Sequence, residues 1–176
     1  MLTPNPVQST YTRYQQVGSV GMPATMSGWD IDTRIAVDIS SPATGIGFGL
    51  AVSQSNATDR GACIGELSGG VFVGITCAAV TLPNVTTGFT DIYENGSNMP
   101  VMIRGDIWVN AVGTVAAGGA VYMNTVTGEL GPSGIANAEL IAGTVWMTSA
   151  PAAATDLMKT EVGTLAVVRL GTPIVS

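Results

Sequence analysis

Between residues 96 and 128 the chain alternates apolar and polar side chains and is punctuated by glycine-containing turns. From Val101 to Val109 the odd positions are apolar except for Gly105, while the even positions are mixed or polar. A period of two is that of a β-strand with one buried face. Gly105 interrupts the buried row and predicts a bulge or a bend in this strand, because glycine adopts backbone angles that other residues avoid.

Turn signals recur on both sides of the next strand. Ala117-Gly118-Gly119 and Thr127-Gly128 supply the positive φ angles that tight turns need, so this stretch predicts a curled meander. Similar patterns place candidate strands at about 32–39, 45–53, 62–66, 70–76, 88–93, 100–110, 119–124, 139–148 and 161–170. The best helix candidate is the alanine-rich segment 151–159, and a loop there is the alternative.

These patterns predict an all-β fold in one chain of 176 residues, a length that suits a single domain. We expect a single antiparallel β-barrel or sandwich-like domain over residues 29–176, with at most one short helix. Residues 1–28 contain three prolines and three glycines and show no regular apolar period, so we expect an extended N-terminal arm.

The composition is poor in charge. Only 10% of the residues are Asp, Glu, Lys or Arg, against about 25% in ordinary domains, while 46% are apolar and the mean hydropathy is +0.40. So few charges predict a subunit of a large assembly or a membrane protein. The apolar stretches are of strand length and fall short of the ~18 residues of a spanning helix, and six percent aromatic residues are too few for the girdles of an outer-membrane barrel. We therefore expect an assembly and no membrane partner.

The charge distribution also argues against nucleic acid as a partner. The net charge is −6, and Lys159 and five scattered arginines form no basic stripe that would neutralise phosphates. The first fourteen residues lack the pattern of a secretion signal, so we expect the protein to remain in the cytoplasm where it is made.

The sequence offers little for catalysis or for binding a metal. It contains no histidine, which removes the commonest general base and the commonest zinc ligand. We expect Cys63 and Cys77 on neighbouring strands, where they could pair, but reduced, buried thiols are favoured for a cytoplasmic product. The acidic pairs Asp91 with Glu94 and Glu129 with Glu139 are best interpreted as solvated surface. Likewise the three alternating glycines at 45, 47 and 49 favour a strand approached by another backbone over a nucleotide loop, because no helix signal follows. We predict no catalytic residue, no cofactor and no metal ligand.

An ordered set of short motifs resembles the phage structural cement family. The motifs are Ala43-Thr44-Gly45-Ile46-Gly47-Phe48-Gly49-Leu50-Ala51-Val52, then Val71-Phe72-Val73-Gly74-Ile75-Thr76, then Pro100-Val101 with Arg104-Gly105 and Trp108-Val109, then Val115-Ala116-Ala117-Gly118-Gly119-Ala120-Val121-Tyr122 and Thr127-Gly128, and finally Leu165-Ala166-Val167-Val168-Arg169-Leu170. The resemblance covers roughly residues 43 to 170. It implies an all-β protein that coats an assembled icosahedral capsid, commonly as a trimer.

From the resemblance we expect a non-enzymatic capsid cement or decoration protein of a bacteriophage, made in the host cytoplasm and carried in the virion. It would form a homo-oligomer, with a trimer expected because the family commonly binds as trimers. It would bind the major capsid protein on the outer capsid surface and bridge neighbouring subunits. The acidic net charge favours the outer surface over the one that faces packaged DNA. The alternative is a carbohydrate- or receptor-binding β-module of a phage fibre or tail, and a carboxylate enzyme is a remote third hypothesis.

Candidate contact residues follow from residue type, because tryptophan and other large side chains dominate interfaces. They are Tyr11, Tyr14, Met22, Trp29, Met102, Trp108 and Trp146. For the residues of the arm, the alternatives are docking on a neighbour or wrapping the protein's own barrel. For Trp29, Met102, Trp108 and Trp146, the alternative is a second covered face inside one protomer.

Overall fold

The computed structural model describes residues 18–25, 28–37, 45–56, 58–64, 71–79, 92–150 and 164–171. The eleven strands found there are β1 (Asp30–Ala36), β2 (Ile46–Gly47), β3 (Ala51–Gln54), β4 (Gly61–Cys63), β5 (Phe72–Thr76), β6 (Ile92–Tyr93), β7 (Asn98–Ala111), β8 (Ala120–Asn124), β9 (Leu130–Gly131), β10 (Ala138–Trp146) and β11 (Thr164–Leu170). The all-β prediction is confirmed. The segment 151–159, the candidate helix, lies outside the described residues. Within the described ranges, no helix is long and apolar enough to cross a membrane.

The long strand β7 organises the fold. Nine strands form one sheet in the order β1-β4-β3-β5-β7-β11-β10-β8-β9, and two further pairings join β7 to β1 and to β9. The sheet therefore closes into two circuits that share β7. We call β1, β4, β3, β5 and β7 the first circuit, and β7, β11, β10, β8 and β9 the second circuit. Strands β2 and β6 form a separate two-stranded ribbon.

A bulge near the middle of β7 lets one strand serve both circuits. Ile31 of β1 lies opposite Met102 while Asp30 lies opposite Arg104, so Ile103 is the extra residue. Gly105 has a φ of 124°, and a Cβ at this position would lie 2.6 Å from the Cβ of Trp29, so only glycine fits. The prediction of a bulge or bend here is confirmed, with the extra residue two positions before the glycine.

The side chains of β7 enter two separate hydrophobic cores, and the bulge exchanges the faces of the strand that point into them. Apolar residues from both circuits form a large cluster, the main core: Ala51, Ile75, Cys77, Met102, Ile107, Val109, Ala111, Val115, Val121, Met123, Leu130, Ile141, Trp146, Ala150, Ala166, Val168 and Leu170. A smaller cluster, the ribbon core, contains Ala36, Ile46, Val52, Ala62, Tyr93, Met99 and Val101. Odd positions of β7 therefore enter the ribbon core before the bulge and the main core after it. The predicted burial of Ile103 is wrong, since the extra residue is left at the surface.

The predicted single strand at 45–53 is instead two strands, β2 and β3, separated by a turn at Phe48 and Gly49. The Gly49 amide donates to the Thr76 carbonyl at 2.8 Å, and a Cβ at Gly49 would overlap the side chain of Val20. The expected close approach of another part of the chain is therefore found, but at a turn rather than along a strand.

Residues 18–25 of the predicted arm run beside β7. The Gly21 amide donates to the Trp108 carbonyl at 2.7 Å, and the Trp108 amide donates back to the Met22 carbonyl at 2.9 Å. The Ala24 amide donates to the carbonyl of Asp106 at 2.7 Å. These residues thus follow the alternative in which the segment lies on its own barrel. Residues 1–17 lie outside the described part, and the division of the chain at residue 28 stays a prediction.

Candidate interaction surface

Three exposed apolar side chains, Trp29, Ile31 and Ile103, lie at the β7 bulge, and an exposed Met22 lies further along β7, where its carbonyl accepts from the Trp108 amide. Met22, Trp29, Ile31 and Ile103 are between 36% and 46% exposed, and we call them the β1–β7 patch. Ile31 and Ile103 are neighbours across the bulge, and the Trp29 backbone contacts Gly105. Exposed apolar groups gathered in one place on a chain so poor in charge indicate a contact surface.

A depression of about 320 Å³ adjoins this patch and is lined by Thr25, Gly28, Arg104, Gly105, Asp106 and Arg169, among others. It lies next to the patch because Gly28 precedes Trp29 in the chain and Gly105 contacts Trp29. Two arginines and one aspartate thus line a depression beside an apolar surface. We refer to this feature as the arginine depression.

Asp106 of β7 and Arg169 of β11 form a bidentate ion pair. Arg169 Nε lies 2.7 Å from Asp106 Oδ1, and Arg169 Nη2 lies 2.9 Å from Oδ2. Asp106 is buried, whereas the Arg169 side chain is 51% exposed. The hydrogen bonds and the charge of Asp106 raise the pKa of Arg169 above its usual value. The arrangement fixes the guanidinium at the edge of the depression and leaves three of its five N–H groups for other partners.

The other arginines of the described part differ in how they are neutralised. Arg34 Nε lies 2.8 Å from Asp32 Oδ2, and Arg60 Nη2 lies 3.1 Å from Asp32 Oδ1. Arg104 has neither an ion pair nor a side-chain hydrogen bond with any described residue, although Asp30 lies opposite it in the strand register. Arg34 and Arg60 thus share the single carboxylate of Asp32, while at the depression Arg169 is paired with Asp106.

A second group of exposed apolar residues lies on β10. Leu140 is 53% exposed, and Val145 and Met147 are each 37% exposed. The register of β10 against β8 shifts between Leu140 and Val145, because Leu140 lies opposite Tyr122 and Val145 lies opposite Ala120. The acidic residue Glu139 precedes Leu140 and is also exposed. We call Glu139, Leu140, Val145 and Met147 the β10 surface.

Groups that could support chemistry are scattered. Among the described residues no three His, Cys, Asp or Glu side chains lie close enough to hold a metal ion. Asp91 lies outside those residues, and Glu129 accepts a hydrogen bond from Thr127 Oγ1 at 2.8 Å. Glu94 and Glu139 are exposed.

Both cysteines are buried, and no disulfide joins them. The expectation that they lie on neighbouring strands is wrong, because β3 separates β4, which carries Cys63, from β5, which Cys77 follows. Burial raises the pKa of Cys77 to about 11, so this thiol stays protonated at neutral pH. The Tyr93 hydroxyl donates a hydrogen bond to the Cys77 carbonyl and joins the two cores.

The structure divides the contact residues proposed from the sequence. Met22 and Trp29 belong to the β1–β7 patch, while Met102 and Trp146 are fully buried in the main core. For these two, the alternative of a covered face within one protomer is what the structure shows. Trp108 is partly buried, and its indole lies so close to Gly18 that a Cβ there would overlap it.

Tyr11 and Tyr14 lie outside the described residues, so their role as contacts stays a prediction. The sequence interpretation missed Ile31, Ile103, Leu140 and the arginine depression. Exposure of Ile103 depends on the bulge register, which the chain reveals only once β1 is known to pair with β7. The arginines carried a weak signal, since four of the five lie within or next to predicted strands.

Comparison with known proteins gives one family match and a structural match. A family model described as structural cement protein (E217 gp24/Pam3 gp6) matches residues 7–171. No curated protein matches. Among solved structures, a chain of "The capsid of Myoviridae Phage XM1" has a TM-score of 0.61 and 16% identity, over 95% of this chain and 98% of that chain. At this identity the likeness is one of fold.

Proposed function

The chain belongs to the phage structural cement proteins, and from this we propose that it binds the outer surface of the assembled capsid and bridges neighbouring major capsid subunits. Membership gives a capsid-associated, structural role in the virion. The finer proposal is a homo-oligomer, a trimer, that makes the shell resist expansion and rupture.

The β1–β7 patch is the observation that carries the proposal. Three of its four apolar side chains, one of them a tryptophan, lie at the bulge, and Arg104 and Arg169 line the adjoining depression. Tryptophan and arginine are the residues most enriched where binding energy concentrates. With only 10% charged residues in the chain, such a surface is better covered by a neighbour than by water.

Multivalency supplies the mechanism. If three protomers are joined, the first capsid contact makes the next ones intramolecular, which raises avidity by ~10²–10⁴ over a single contact. When each contact needs several capsid subunits at their mature spacing, the bound oligomer favours the mature shell over other spacings. The acidic net charge of −6 fits a surface that faces away from packaged DNA.

Capsids assembled without this protein test the proposal. We expect them to rupture at a lower temperature, by several degrees, and to regain their resistance when the purified protein is added. In light scattering the added protein should have three times the mass of the 17.8 kDa chain. Equal rupture temperatures with and without the protein would refute the stabilising role.

A pair of matched variants tests the surface. Replacing both Trp29 and Ile31 by serine should abolish restoration, because the patch loses its largest groups. Replacing Val126 by serine removes a side chain that is 63% exposed and lies in a turn away from the patch, so restoration should persist. If the two variants restore resistance equally, the patch is not the capsid contact.

The fibre or lectin alternative receives less support. Such a module needs exposed aromatic residues around a groove, and among the described residues Trp29 alone of the aromatic side chains is exposed. Copy number separates the two hypotheses, because a cement protein is present in many copies per particle and a fibre component in few.

A further inference from the structure

One asparagine of the sequence is followed directly by glycine, at Asn95-Gly96. The backbone nitrogen after an asparagine can attack the side-chain carbonyl carbon Cγ, and glycine hinders this attack least because it has no Cβ. Both residues are exposed, and nothing lies within 4 Å of a Cβ built on Gly96. Water and hydroxide therefore reach this dipeptide, whose chemistry is that of a spontaneous modification site.

The fold restrains the nitrogen that would react. Asn95 and Gly96 are the central residues of a type II turn between β6 and β7, and Gly96 has a φ of 83°. The Ser97 amide closes this turn by donating to the Glu94 carbonyl at 3.0 Å. The Gly96 amide donates to the carbonyl of Ala36, the last residue of β1, at 2.7 Å. The Ala36 amide donates back to the Ser97 carbonyl at 2.9 Å, so two hydrogen bonds hold the turn to the end of β1.

We propose that Asn95 is a deamidation site that the end of β1 keeps closed. Attack requires Gly96 to give its amide proton to hydroxide and to turn its nitrogen toward Cγ of Asn95. Both steps are opposed while this N–H donates to the Ala36 carbonyl. Modification therefore proceeds from an open state in which the end of β1 has separated from the turn.

The reaction needs only water as a co-reactant and changes no oxidation state. A bond forms between the Gly96 nitrogen and Asn95 Cγ, the bond from Cγ to Nδ2 breaks, and Nδ2 takes up a proton and leaves as ammonia. Water then adds to one of the two carbonyl carbons of the resulting cyclic imide and breaks the bond from that carbon to nitrogen. Opening at Cγ gives aspartate, and opening at the main-chain carbon gives isoaspartate.

Either product places a new carboxylate beside Glu94. Isoaspartate also adds a methylene carbon to the main chain inside the turn, which shifts Gly96 away from the Ala36 carbonyl. Because a virion replaces none of its proteins by synthesis, the product would accumulate with the age of the particle.

Peptide mapping by mass spectrometry tests the site, with the full chain kept in mildly alkaline buffer either folded or in guanidinium chloride. We expect aspartate and isoaspartate at position 95 in the denaturant, and conversion about tenfold slower or more in the folded protein, because opening breaks backbone hydrogen bonds. Asn137 is exposed and followed by alanine, so it is the internal control and should stay unmodified over the same time. Equal rates in the two samples, or an unchanged Asn95 in the denaturant, would overturn the proposal.

Two matched substitutions test the role of β1. Ile35→Ser weakens the end of this strand, since Ile35 lies opposite Asn98 of β7 and Gly61 of β4. Val145→Ser is the same kind of change on β10, in the second circuit. We expect Ile35→Ser to raise the rate in the folded protein several-fold and Val145→Ser to leave it unchanged. Equal rates in these two variants would overturn the protection by β1.

Hydrogen exchange of the Gly96 amide in the wild type gives a second measurement that needs no variant to fold. Its exchange should be slowed about tenfold or more relative to the denatured chain, since the same opening exposes this N–H. A Gly96 amide that exchanges as fast in the folded protein as in the denatured chain would also overturn the proposal.

Discussion

The two circuits that share β7 bury different kinds of side chain. Outside β7, the buried positions of the first circuit are mostly small or hydroxylated, namely Ala36, Ala51, Val52, Ser53, Gly61, Ala62, Cys63, Gly74, Ile75 and Thr76. The second circuit buries more large side chains, namely Val121, Met123, Leu130, Ile141, Trp146, Val167, Val168 and Leu170, beside Gly131, Thr144 and Ala166. Directional hydrogen bonds therefore matter more in the first circuit and apolar area in the second, although both are closed sheets.

Polar side chains hold together the turns of the first circuit. Thr76 Oγ1 donates to the Gly47 carbonyl at 2.8 Å and accepts from the Leu50 amide at 3.0 Å. Gln54 receives a hydrogen bond from Arg34 and donates to the carbonyls of Thr58 and Asp59. Such bonds specify the paths of short strands that bury little area of their own.

The largest expected effect comes from a substitution in the core of the second circuit. Trp146→Ala should lower the free energy of unfolding by about 3–5 kcal/mol, because a fully buried indole leaves a cavity in the main core. Trp29→Ala is the matched control and should cost about 1 kcal/mol or less, since Trp29 is 42% exposed. Urea denaturation measures both. Equal losses would mean that the second circuit does not depend on its apolar core.

A smaller effect is expected when a buried hydroxyl is removed from the first circuit. Thr76→Val keeps the shape of the side chain but removes its hydroxyl, and should cost about 1–3 kcal/mol because two backbone groups lose their partner. Thr144→Val is the matched change in the second circuit, where Thr144 Oγ1 donates to the Ile141 carbonyl at 2.6 Å. We expect its cost to be about 1 kcal/mol, since one acceptor is affected. A larger loss at Thr144 than at Thr76 would contradict the comparison.

The smallest effect lies where the two cores meet. Cys77 keeps its proton up to pH about 11 in the folded protein, whereas the ordinary thiol value is 9.0. Between these values the unfolded chain binds fewer protons, so stability falls as pH rises, by on the order of 1 kcal/mol per pH unit. Burial, and then the charge of Cys77, also raise the pKa of Tyr93, which acts in the same direction.

Denaturation of the wild type and of Cys77→Ala at pH 7, 9 and 10.5 measures this effect. The variant should lose less stability than the wild type above pH 9, whatever its stability at pH 7. Parallel pH profiles would show that the thiol does not couple the junction of the two cores to pH.

Local patterns in the sequence predicted the strands well and their partners poorly. The alternation around Val101 and Val109 identified β7, and Gly118 and Gly128 have the positive φ angles that the turn signals predicted. The register of β7 against β1 decides that Met102 is buried and Ile103 exposed, and a register between distant strands leaves no local pattern. Residue type alone could not separate Trp29 from Trp146, because position in the closed sheet sets their burial.

The seven consecutive residue pairs between β7 and β11 contrast with the single pair that joins β7 to β9 and the two that join β1 to β4. Under tension, the hydrogen bonds of the long β7–β11 pairing must break together. The β7–β9 and β1–β4 pairings need only one or two residue pairs to separate. We expect a stretched protomer to open first at the β7–β9 and β1–β4 pairings, while the β7–β11 pairing stays intact. A coat built of such units would absorb strain by local opening and reseal when the strain is released.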